Sequence, residues 1–193
     1  MTAEGRYGLL TDEELMAMSV QGEEHAFSEL YDRYAGRLKV YFSRMLWNDQ
    51  EKAEDMTQDL FLKVIRGSEQ FDESRRFSTW IYAMAANMCK NEYRHHEVRK
   101  RHASKVEIEW GERTSSNEQG IDSAAFRSSL DDALSELDHA KRSIFILRFK
   151  HHLNIKEIAE IMECSEGTVK SRIFYTLKSL SQSLKAFDPK RTS

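Results

Sequence analysis

The sequence predicts an all-α protein made of two small helical domains. Apolar residues recur at spacings of three and four along most of the 193 residues, strand-like alternation is nearly absent, and proline occurs once, at Pro189. A chain of this length can bury two separate cores. Helical periodicity is lost between residues 102 and 122, where Ser, Thr, Asn, Gln and Gly accumulate. We therefore expect domains at residues 1–101 and 126–187, joined by a flexible linker at 102–125.

The N-terminal domain is predicted to begin with a short capped helix and a long one. Thr11 precedes three acidic residues, an arrangement typical of a helix start, and Gly22 ends this helix. Residues 24–47 then form a longer helix with apolar residues at helical spacing. Its predicted core positions are Phe27, Leu30, Tyr31, Tyr34, Leu38, Tyr41, Phe42 and Met45.

A third helix is predicted at Gln50–Arg66, with one buried stripe and one polar face. The buried stripe is formed by Ala53, Met56, Leu60 and Val64, with Phe61 and Ile65 beside it. Acidic residues at positions 55 and 59 are explained by spacing alone as ordinary stabilisation of the helix dipole.

A polar loop at residues 67–77 leads to a fourth helix, which we expect to begin at Ser78. Asn has low helix propensity, so Asn87 in its middle indicates either a buried hydrogen bond or recognition of a base. The interleaving of aromatic and basic residues in this stretch suits a surface that stacks on unpaired nucleotides. For Trp80 and Tyr82, packing in the core is the alternative.

The C-terminal domain is predicted to consist of two helices followed by a helix-turn-helix. The first two helices span residues 126–137, with Leu130, Leu134 and Leu137 inward, and residues 140–149. In the stretch 154–180, Asn154 starts a helix, residues 163–165 break it, and Ser165 caps a second helix. The inward stripe of that second helix is predicted to comprise Val169, Ile173, Leu177, Leu180 and Leu184.

The opposite face of this last helix is basic and aromatic, which a helix packed on all sides would not need. The residues on that face are Lys170, Ser171, Phe174, Tyr175 and Lys178. A turn of three to four residues followed by a basic second helix is the form of a helix-turn-helix whose second helix enters the DNA major groove. We expect DNA binding. The alternative is a helical hairpin whose basic face is merely solvated.

Charge is segregated along the chain, although the net charge is only −3. Residues 1–32 contain eight acidic residues against one basic residue, Arg6. Residues 90–105 contain six Lys or Arg against two Glu, and residues 166–191 contain six against one Glu and one Asp. Local potential, and not the pI, is therefore the relevant quantity for nucleic-acid binding.

Several function classes are excluded by the sequence. No apolar run is long enough to cross a bilayer and the N-terminus does not resemble a signal peptide, so a cytoplasmic protein without membrane insertion is expected. Cys89 and Cys164 are isolated, and the pairs at 95–96 and 151–152 place adjacent histidines in different directions on a helix, so no metal site is expected. No nucleotide-binding loop or nucleophile–base pair is evident. We expect no cofactor and no enzymatic activity.

Three stretches in a fixed order together resemble an extracytoplasmic-function (ECF) sigma factor of the sigma-70 family, a compact group of bacterial transcription initiation factors with two domains. They are EDMTQDLFLKVI at 54–65, FSTWIYAMAANMCKNEYR at 77–94, and LSELDHAKRSIFILRF with IKEIAEIMECSEGTVKSRIFYTLKSL between 134 and 180. The resemblance covers nearly the whole chain except the linker.

This resemblance implies three sets of binding residues. Docking on the β′ clamp helices of core RNA polymerase is implied for Asp55, Gln58, Asp59, Leu62 and Lys63, which replaces the helix-dipole explanation of that face. Melting and holding of the single-stranded −10 element is implied for Phe77, Trp80, Asn87, Lys90, Asn91 and Arg94. Duplex −35 recognition is implied for Thr168, Lys170, Ser171, Arg172, Phe174, Tyr175 and Lys178.

The resemblance also implies protein partners. Phe145, Leu147 and their neighbours would face the β-flap tip of the polymerase, and an anti-sigma factor would cover the binding surfaces until a signal arrives. Two positions depart from the family pattern. Asp138 stands where many relatives have Pro, although it can still cap the next helix. Tyr175 stands where several relatives have Arg, so a bidentate contact to guanine is lost.

Two other functions remain open at this stage. A helix-turn-helix repressor or activator would bind duplex operators as a dimer without polymerase, but the polymerase-docking face argues against it. An all-helical adaptor or decoy would bind polymerase or an anti-sigma factor without DNA. The DNA-binding residues Trp80, Asn87 and Arg94 argue against that second alternative.

Overall fold

The computed structural model describes residues 7–102 and 121–187, and none of these residues lies in a β-strand. The chain divides into two compact units, residues 1–92 and 93–193. Within the described residues, the α-helices are α1 (Asp12–Val20), α2 (Glu24–Met45), α3 (Gln50–Arg66), α4 (Phe77–His102), α5 (Ile121–Ser135), α6 (His139–Phe149), α7 (Ile155–Ile161) and α8 (Glu166–Ser183). Short 3-10 turns lie at Ser68–Gln70 and Lys185–Phe187. The prediction of an all-α fold is confirmed.

The first unit is organised around the long helix α2, which packs against both α1 and α3. Every predicted core residue of α2 from Tyr34 onward is buried, as is Leu30. The same core takes in Ala53, Leu60 and Val64 from α3, and Ile81, Ala85 and Cys89 from α4. These side chains follow helical spacing on each element, so one face of α3 and one face of α4 are committed to the core and the other faces are available.

Two predicted core residues of this unit are exposed. Tyr31 lies at the margin of the core, where its ring covers that of Phe61 at a centroid distance of 4.7 Å. Ile65 is 51% exposed. Its position is seven residues after Gln58 and three after Leu62, and this helical spacing puts it on the outward face of α3. The buried face ends with Phe61 and Val64 instead.

In the second unit, helix caps mark each turn of the chain. The backbone N–H of Lys141 donates to Asp138 Oδ1 at 2.9 Å, so Asp138 does cap α6.

Apolar side chains from α5 and α8 meet in a cluster of Ala133, Leu134 and Leu180, against which Leu130, Leu137 and Phe145 pack. The inward placement of the three predicted leucines of α5 is thereby confirmed, although Leu137 lies just beyond the end of the helix.

This unit contains a buried arginine that was not anticipated from sequence. The Arg142 side chain is almost completely inaccessible, and its Nε donates to the carbonyl oxygen of Leu134 at 2.8 Å, near the C-terminal end of α5. Burial lowers the pKa of this guanidinium. A cation placed there satisfies a helix carbonyl and complements the negative end of the helix dipole.

Three helix starts differ from the predicted ones. Helix α6 begins at His139, one residue before the predicted start at residue 140. Helix α4 begins at Phe77, one residue before the predicted start. Helix α5 begins at Ile121, five positions before the predicted start at Phe126, so residues 121–125 are helical. The sequence Asp-Ser-Ala-Ala that follows Ile121 has no large apolar residue, and a pattern based on apolar spacing therefore misses this first turn. Residues 103–120 of the predicted linker lie outside the described residues.

Candidate nucleic-acid interface

Helices α7 and α8 form the helix-turn-helix that the sequence predicts. Asn154 and Glu157 form a reciprocal capping box at the start of α7, with N···O distances of 2.9 and 2.8 Å. The turn is closed by the N–H of Cys164, which donates to the carbonyl of Ala159 at 3.0 Å. Ser165 Oγ then accepts from the N–H of Thr168 at 3.1 Å and caps α8. The caps therefore set the angle at which α8 leaves the turn.

The outward face of α8 is cationic and aromatic. Phe174 and Tyr175 are 62% and 61% exposed, and their rings meet edge to face at 5.4 Å. Lys170 Nζ lies 3.7 Å from a carboxylate oxygen of Glu166, one helical turn before it. Such an exposed pair is worth little to stability, so the ammonium can exchange this partner for a phosphate.

The remaining predicted residues of α8 lie around this face at different depths. Ser171 is exposed and its hydroxyl donates to the carbonyl of Thr168 at 3.0 Å, which leaves its oxygen free to accept. Thr168 is half-buried in the first turn and its hydroxyl bonds to that of Ser165 at 2.9 Å. Arg172 is half-buried and Lys178 is exposed.

The buried stripe of α8 differs from the predicted one. Val169, Thr176 and Leu180 are buried, whereas Leu177 is 43% exposed. At 100° per residue, Thr176 and Leu180 lie within about 20° of Val169 around the helix, while Leu177 lies about 80° away. Each step of four residues turns slightly more than a full circle. After two such steps Leu177 has moved away from the buried side, and Thr176 is buried in its place.

Helix α4 presents one continuous polar face with an aromatic residue at its start. Asn87, Lys90, Asn91 and Arg94 are all exposed. Together with the half-buried Trp80, they recur at helical spacings and lie along one side of the helix. Because Asn87 is exposed, the alternative of a buried hydrogen bond does not apply to it.

An aromatic cluster underlies the start of this face, and it changes the interpretation of Phe77. The Phe77 ring is completely buried, with ring centroids of Tyr34 at 5.2 Å, Phe71 at 5.8 Å and Trp80 at 5.9 Å. Direct stacking of Phe77 on a base is therefore excluded in this structure. Tyr82 is also fully buried, so it belongs to the core. Phe77 supports Phe71 and Trp80 from below, and these two rings are the aromatic groups near the surface.

Helix α3 has one buried face and one exposed face. Asp55, Gln58, Asp59, Leu62 and Lys63 are all exposed, and the opposite face is packed in the core. Among the described residues, neither Asp55 nor Asp59 has an ion-pair partner. Ile65, which was predicted to lie beside the buried stripe, adds a large apolar side chain to this outward face. Exposed apolar side chains can bind another protein, and the free carboxylates beside them would select a partner with basic groups.

Comparisons with known proteins identify the family. Two family models match, Sigma-70 region 2 over residues 30–99 and Sigma-70 region 4 over residues 133–182. The ECF RNA polymerase sigma-E factor of Haemophilus influenzae is 33% identical over 178 residues, which cover 86% of this chain and 90% of that protein. The chain belongs to the ECF sigma factors. It is a bacterial transcription initiation factor, and the family is not an enzyme family.

Other relatives agree with this assignment. The sigma factor is 30% identical over 174 residues to the ECF sigma-E factor of Escherichia coli K12, with 86% of this chain and 90% of that protein covered. Two solved structures share its fold. The sigma factor RpoE of Bartonella quintana has a TM-score of 0.70 at 21% identity over 82% of this chain and 96% of that one. CnrH has a TM-score of 0.69 at 22% identity over 91% of this chain and 97% of that one.

The matched regions contain all of the predicted binding residues. The candidates on α3 and α4 lie within the region 2 match, and those on α8 lie within the region 4 match. The helices bring each set together on one exposed face, apart from Phe77 and the half-buried Trp80, Thr168 and Arg172.

One predicted polymerase contact of the sigma factor is corrected by the structure. Leu147 is completely buried and cannot face a partner in this structure. Phe149 is exposed instead, and its ring lies 4.8 Å from that of the half-buried Phe145. The period of α6 explains this, because Phe145 and Phe149 are four residues apart whereas Leu147 lies on the opposite side.

Two further features are absent from the described part of the sigma factor. Within residues 7–102 and 121–187, no helix is long and apolar enough to span a membrane, and no group of His, Cys, Asp or Glu is arranged to hold a metal ion. Cys89 is fully buried, and burial raises the pKa of its thiol. Cys164 is half-buried in the turn before α8.

Proposed function

We propose that this sigma factor binds core RNA polymerase through the outward face of α3 and holds promoter DNA on the outward faces of α4 and α8. The observation that supports this most directly is that α3, α4 and α8 are amphipathic. Each packs one face in its own core and exposes the other, and the exposed face contains the residues expected for its role, apart from the buried Phe77 and the half-buried Trp80, Thr168 and Arg172.

Core polymerase binding is assigned to Asp55, Gln58, Asp59, Leu62 and Lys63. Since Asp55 and Asp59 lie one helical turn apart and form no ion pair among the described residues, both are available to basic groups of a partner. Leu62 and Ile65 supply apolar area beside them. A partner surface with arginines around an apolar centre fits this face, and we propose that the β′ clamp helices provide it.

Recognition of the −10 element is assigned to α4. The Asn87 amide has both donors and acceptors, so it can bind the hydrogen-bonding edge of a base that has left the duplex. Lys90 and Arg94 lie further along the same face and would neutralise backbone phosphates, with Asn91 beside them. Trp80 and Phe71 offer aromatic surface at the start of the helix on which a base can stack.

Recognition of the −35 element is assigned to α8. Lys170, Ser171, Phe174 and Tyr175 would contact base edges in the major groove, and Thr168, Arg172 and Lys178 would contact the backbone. The exposed part of α6, around Phe145 and Phe149, would face the β-flap of the polymerase.

Control by an anti-sigma factor is part of this proposal. The RpoE structure from Bartonella quintana contains the anti-sigma factor NepR, and the CnrH structure contains the cytosolic domain of CnrY. We propose that residues 1–101 and residues 126–187, to which the helical residues 121–125 belong, act as two domains around such a partner. The protein would act in the cytoplasm, where the polymerase works, without enzymatic activity or a cofactor of its own.

Affinity for core polymerase tests the assignment of α3. Fluorescently labelled full-length protein is titrated with core RNA polymerase from the source organism, and the Kd is compared with that of an Asp55→Ala/Asp59→Ala variant. We expect the Kd to rise about tenfold or more, which corresponds to about 1.4 kcal/mol. The matched control is Glu24→Ala/Asp32→Ala, which removes two exposed carboxylates from α2 and should leave the Kd within about twofold.

An unchanged Kd in the α3 variant would refute this docking surface. If the wild-type protein did not bind core polymerase but bound duplex DNA alone with nanomolar affinity, a helix-turn-helix repressor or activator would replace the proposed function.

A further inference from the structure

We propose that Glu13, in the first helix, is a positioning residue for α4. Its carboxylate caps the end of the helix that bears the proposed −10 contacts, and so fixes where that face begins. The functional part of this inference rests on the proposed function of α4. Glu13 lies before the region 2 match, which starts at residue 30, and no binding role is assigned to it.

The cap is a single hydrogen bond between residues far apart in sequence. The backbone N–H of Phe77, the first residue of α4, donates to Glu13 Oε1 at 2.8 Å across 64 positions of the chain. The first N–H groups of a helix have no partner within the helix, and its N-terminus has a partial positive charge. A carboxylate at this point satisfies the donor and is stabilised by the dipole.

Glu13 can act as a cap because α1 is held firmly on α2. Arg33 Nη1 donates to Asp12 Oδ1 at 2.8 Å and to the carbonyl of Leu10 at 2.9 Å, while Nη2 donates to the carbonyl of Tyr7 at 3.1 Å. The hydroxyl of Tyr34 donates to the other oxygen of Asp12. These bonds tie the residue next to Glu13 to two consecutive residues of α2, so the Glu13 carboxylate has a defined place.

The capped residue lies directly beneath the surface aromatic groups. The Phe77 ring packs edge to face against Tyr34 at 5.2 Å, and Phe71 and Trp80 lie on its other sides. Helix α1 also packs against the 3-10 turn at Ser68–Gln70, which leads into Phe71. Helix α1 therefore contacts both the start of α4 and the loop before it, and the hydrogen bond of Glu13 joins α1 to the start of α4.

Hydrogen exchange of the full-length protein tests the cap itself, without polymerase or DNA. In Glu13→Ala, we expect the amides of residues 77–80 to exchange about fivefold faster, the factor expected for the loss of an average helix N-cap. Glu13→Gln keeps an acceptor oxygen and should stay close to wild type. The matched control is Asp32→Ala, which removes an exposed carboxylate of α2 that forms no hydrogen bond or ion pair among the described residues and leaves the capping of α1 intact. Unchanged exchange at residues 77–80 in Glu13→Ala would overturn the proposal.

Transcription by the reconstituted holoenzyme tests the positioning role. On a promoter that the wild-type holoenzyme uses, Glu13→Ala should lower the initial rate of run-off transcription about fivefold while the Kd for core polymerase stays unchanged, and Glu13→Gln should restore the rate. A variant that is simply destabilised would lose core affinity as well, and that result, or an unchanged rate, would overturn the proposal.

Two further controls keep the result interpretable. If circular dichroism shows Glu13→Ala to be unfolded, Glu13→Asp takes its place with the same expectations, because it keeps the charge but withdraws the carboxylate by one methylene group. If the wild-type protein supports no transcription, the proposed function fails, whereas the exchange experiment still decides whether Glu13 caps α4.

Discussion

Phe174 and Tyr175 expose more than half of their surface side by side on α8. Aromatic side chains left in water contribute little to stability, so their place on the helix-turn-helix is better explained by a ligand. A ring edge can contact the methyl group of thymine, but it cannot make the paired hydrogen bonds by which Arg reads guanine. We therefore expect the preferred −35 sequence to have a base other than guanine at the position that Tyr175 contacts.

Tyr175→Arg should create a preference for guanine at that position. A bidentate Arg–guanine contact provides about 1–3 kcal/mol of discrimination between bases. The measurement is selection of duplex −35 sequences by the reconstituted holoenzyme, for wild type and variant. The matched control is Ser181→Arg, which adds the same charge to an exposed site further along α8 and should raise affinity without a new base preference. An identical selected sequence for Tyr175→Arg would contradict the assignment of this residue.

Asn87 offers a test in which stability and function change in opposite directions. Because it is exposed in the middle of α4, Asn87→Ala should stabilise the protein by about 0.5 kcal/mol through helix propensity. The same change should slow promoter opening, since the base loses its hydrogen-bonding partner. Thermal unfolding and run-off transcription measure the two effects. Normal transcription by a stabilised variant would show that Asn87 does not recognise a base.

For individual residues, the sequence predicted which polar groups share a helix face better than it predicted how deeply each side chain is buried. The exposure of Lys90 and Arg94 follows from helical spacing, whereas for Asn87 a buried hydrogen bond was also possible and the structure shows that it is exposed. Phe77 could not be placed in the same way. An aromatic residue at the first position of a helix can point in or out, and only its contacts with Tyr34, Phe71 and Trp80 show that it is buried.

Among the helices, those with clear caps were predicted most closely. Helix α3 has the predicted bounds, and the capping residues Thr11, Asn154 and Ser165 all have the expected hydrogen bonds. Caps can be recognised because they combine a particular residue type with a local hydrogen bond. The start of α5 and the exposure of Leu177 depend instead on neighbouring helices and on the accumulated rotation of α8, which local patterns do not contain.

The cap of α6 makes a prediction that depends on pH. Partial burial raises the pKa of Asp138, but hydrogen bonds from the side chain and backbone of Lys141 outweigh it, so the pKa lies below its usual value. Stability from this cap is therefore present above the unfolded-state pKa of about 3.9 and is lost as pH falls through the lower folded-state value.

Asp138→Ala should accordingly destabilise the C-terminal unit by about 1 kcal/mol at pH 7. Its effect should shrink as the pH falls below about 4. The measurement is urea dependence of hydrogen exchange in α6. Glu136→Ala, which removes a nearby exposed carboxylate that caps no helix, should have little effect. A loss of stability independent of pH would show that the carboxylate is not the relevant group.

For the N-terminal unit as a whole, alkaline pH should be destabilising. Burial raises the pKa of both Tyr34 and Tyr82, that of Tyr82 to about 12, and the Asp12 carboxylate raises that of Tyr34 further. Stability from these protonated phenols is present below the unfolded-state pKa of about 10 and is lost as pH rises toward the folded-state values.

Tyr82→Phe should weaken this pH dependence. Urea unfolding followed by tryptophan fluorescence, to which Trp47 and Trp80 of this unit contribute, should show the free energy of unfolding of wild type falling as the pH rises above about 10. The slope should be smaller in Tyr82→Phe, whereas Tyr31→Phe, at the exposed margin of the core, should match wild type. Equal slopes in all three proteins would contradict a buried, protonated Tyr82.

On the scale of the whole molecule, three sequence motifs in a fixed order indicated the family, because each motif keeps its spacing. Which exposed face meets which partner is not contained in periodicity. Spacing alone explained Asp55 and Asp59 as helix-dipole stabilisation, and only the resemblance assigned them to polymerase. The structure adds that both are exposed next to Leu62 and Ile65.

Run-off transcription tests the central claim most directly. Core RNA polymerase from the source organism is incubated with a pool of genomic promoter fragments, without the protein, with wild type, and with Asp55→Ala/Asp59→Ala. We predict discrete transcripts that require the wild-type protein and weaken in the double variant, with Glu24→Ala/Asp32→Ala as active as wild type. The absence of any protein-dependent transcript, or transcripts equally strong with the double variant, would contradict a promoter-specificity subunit that docks through α3.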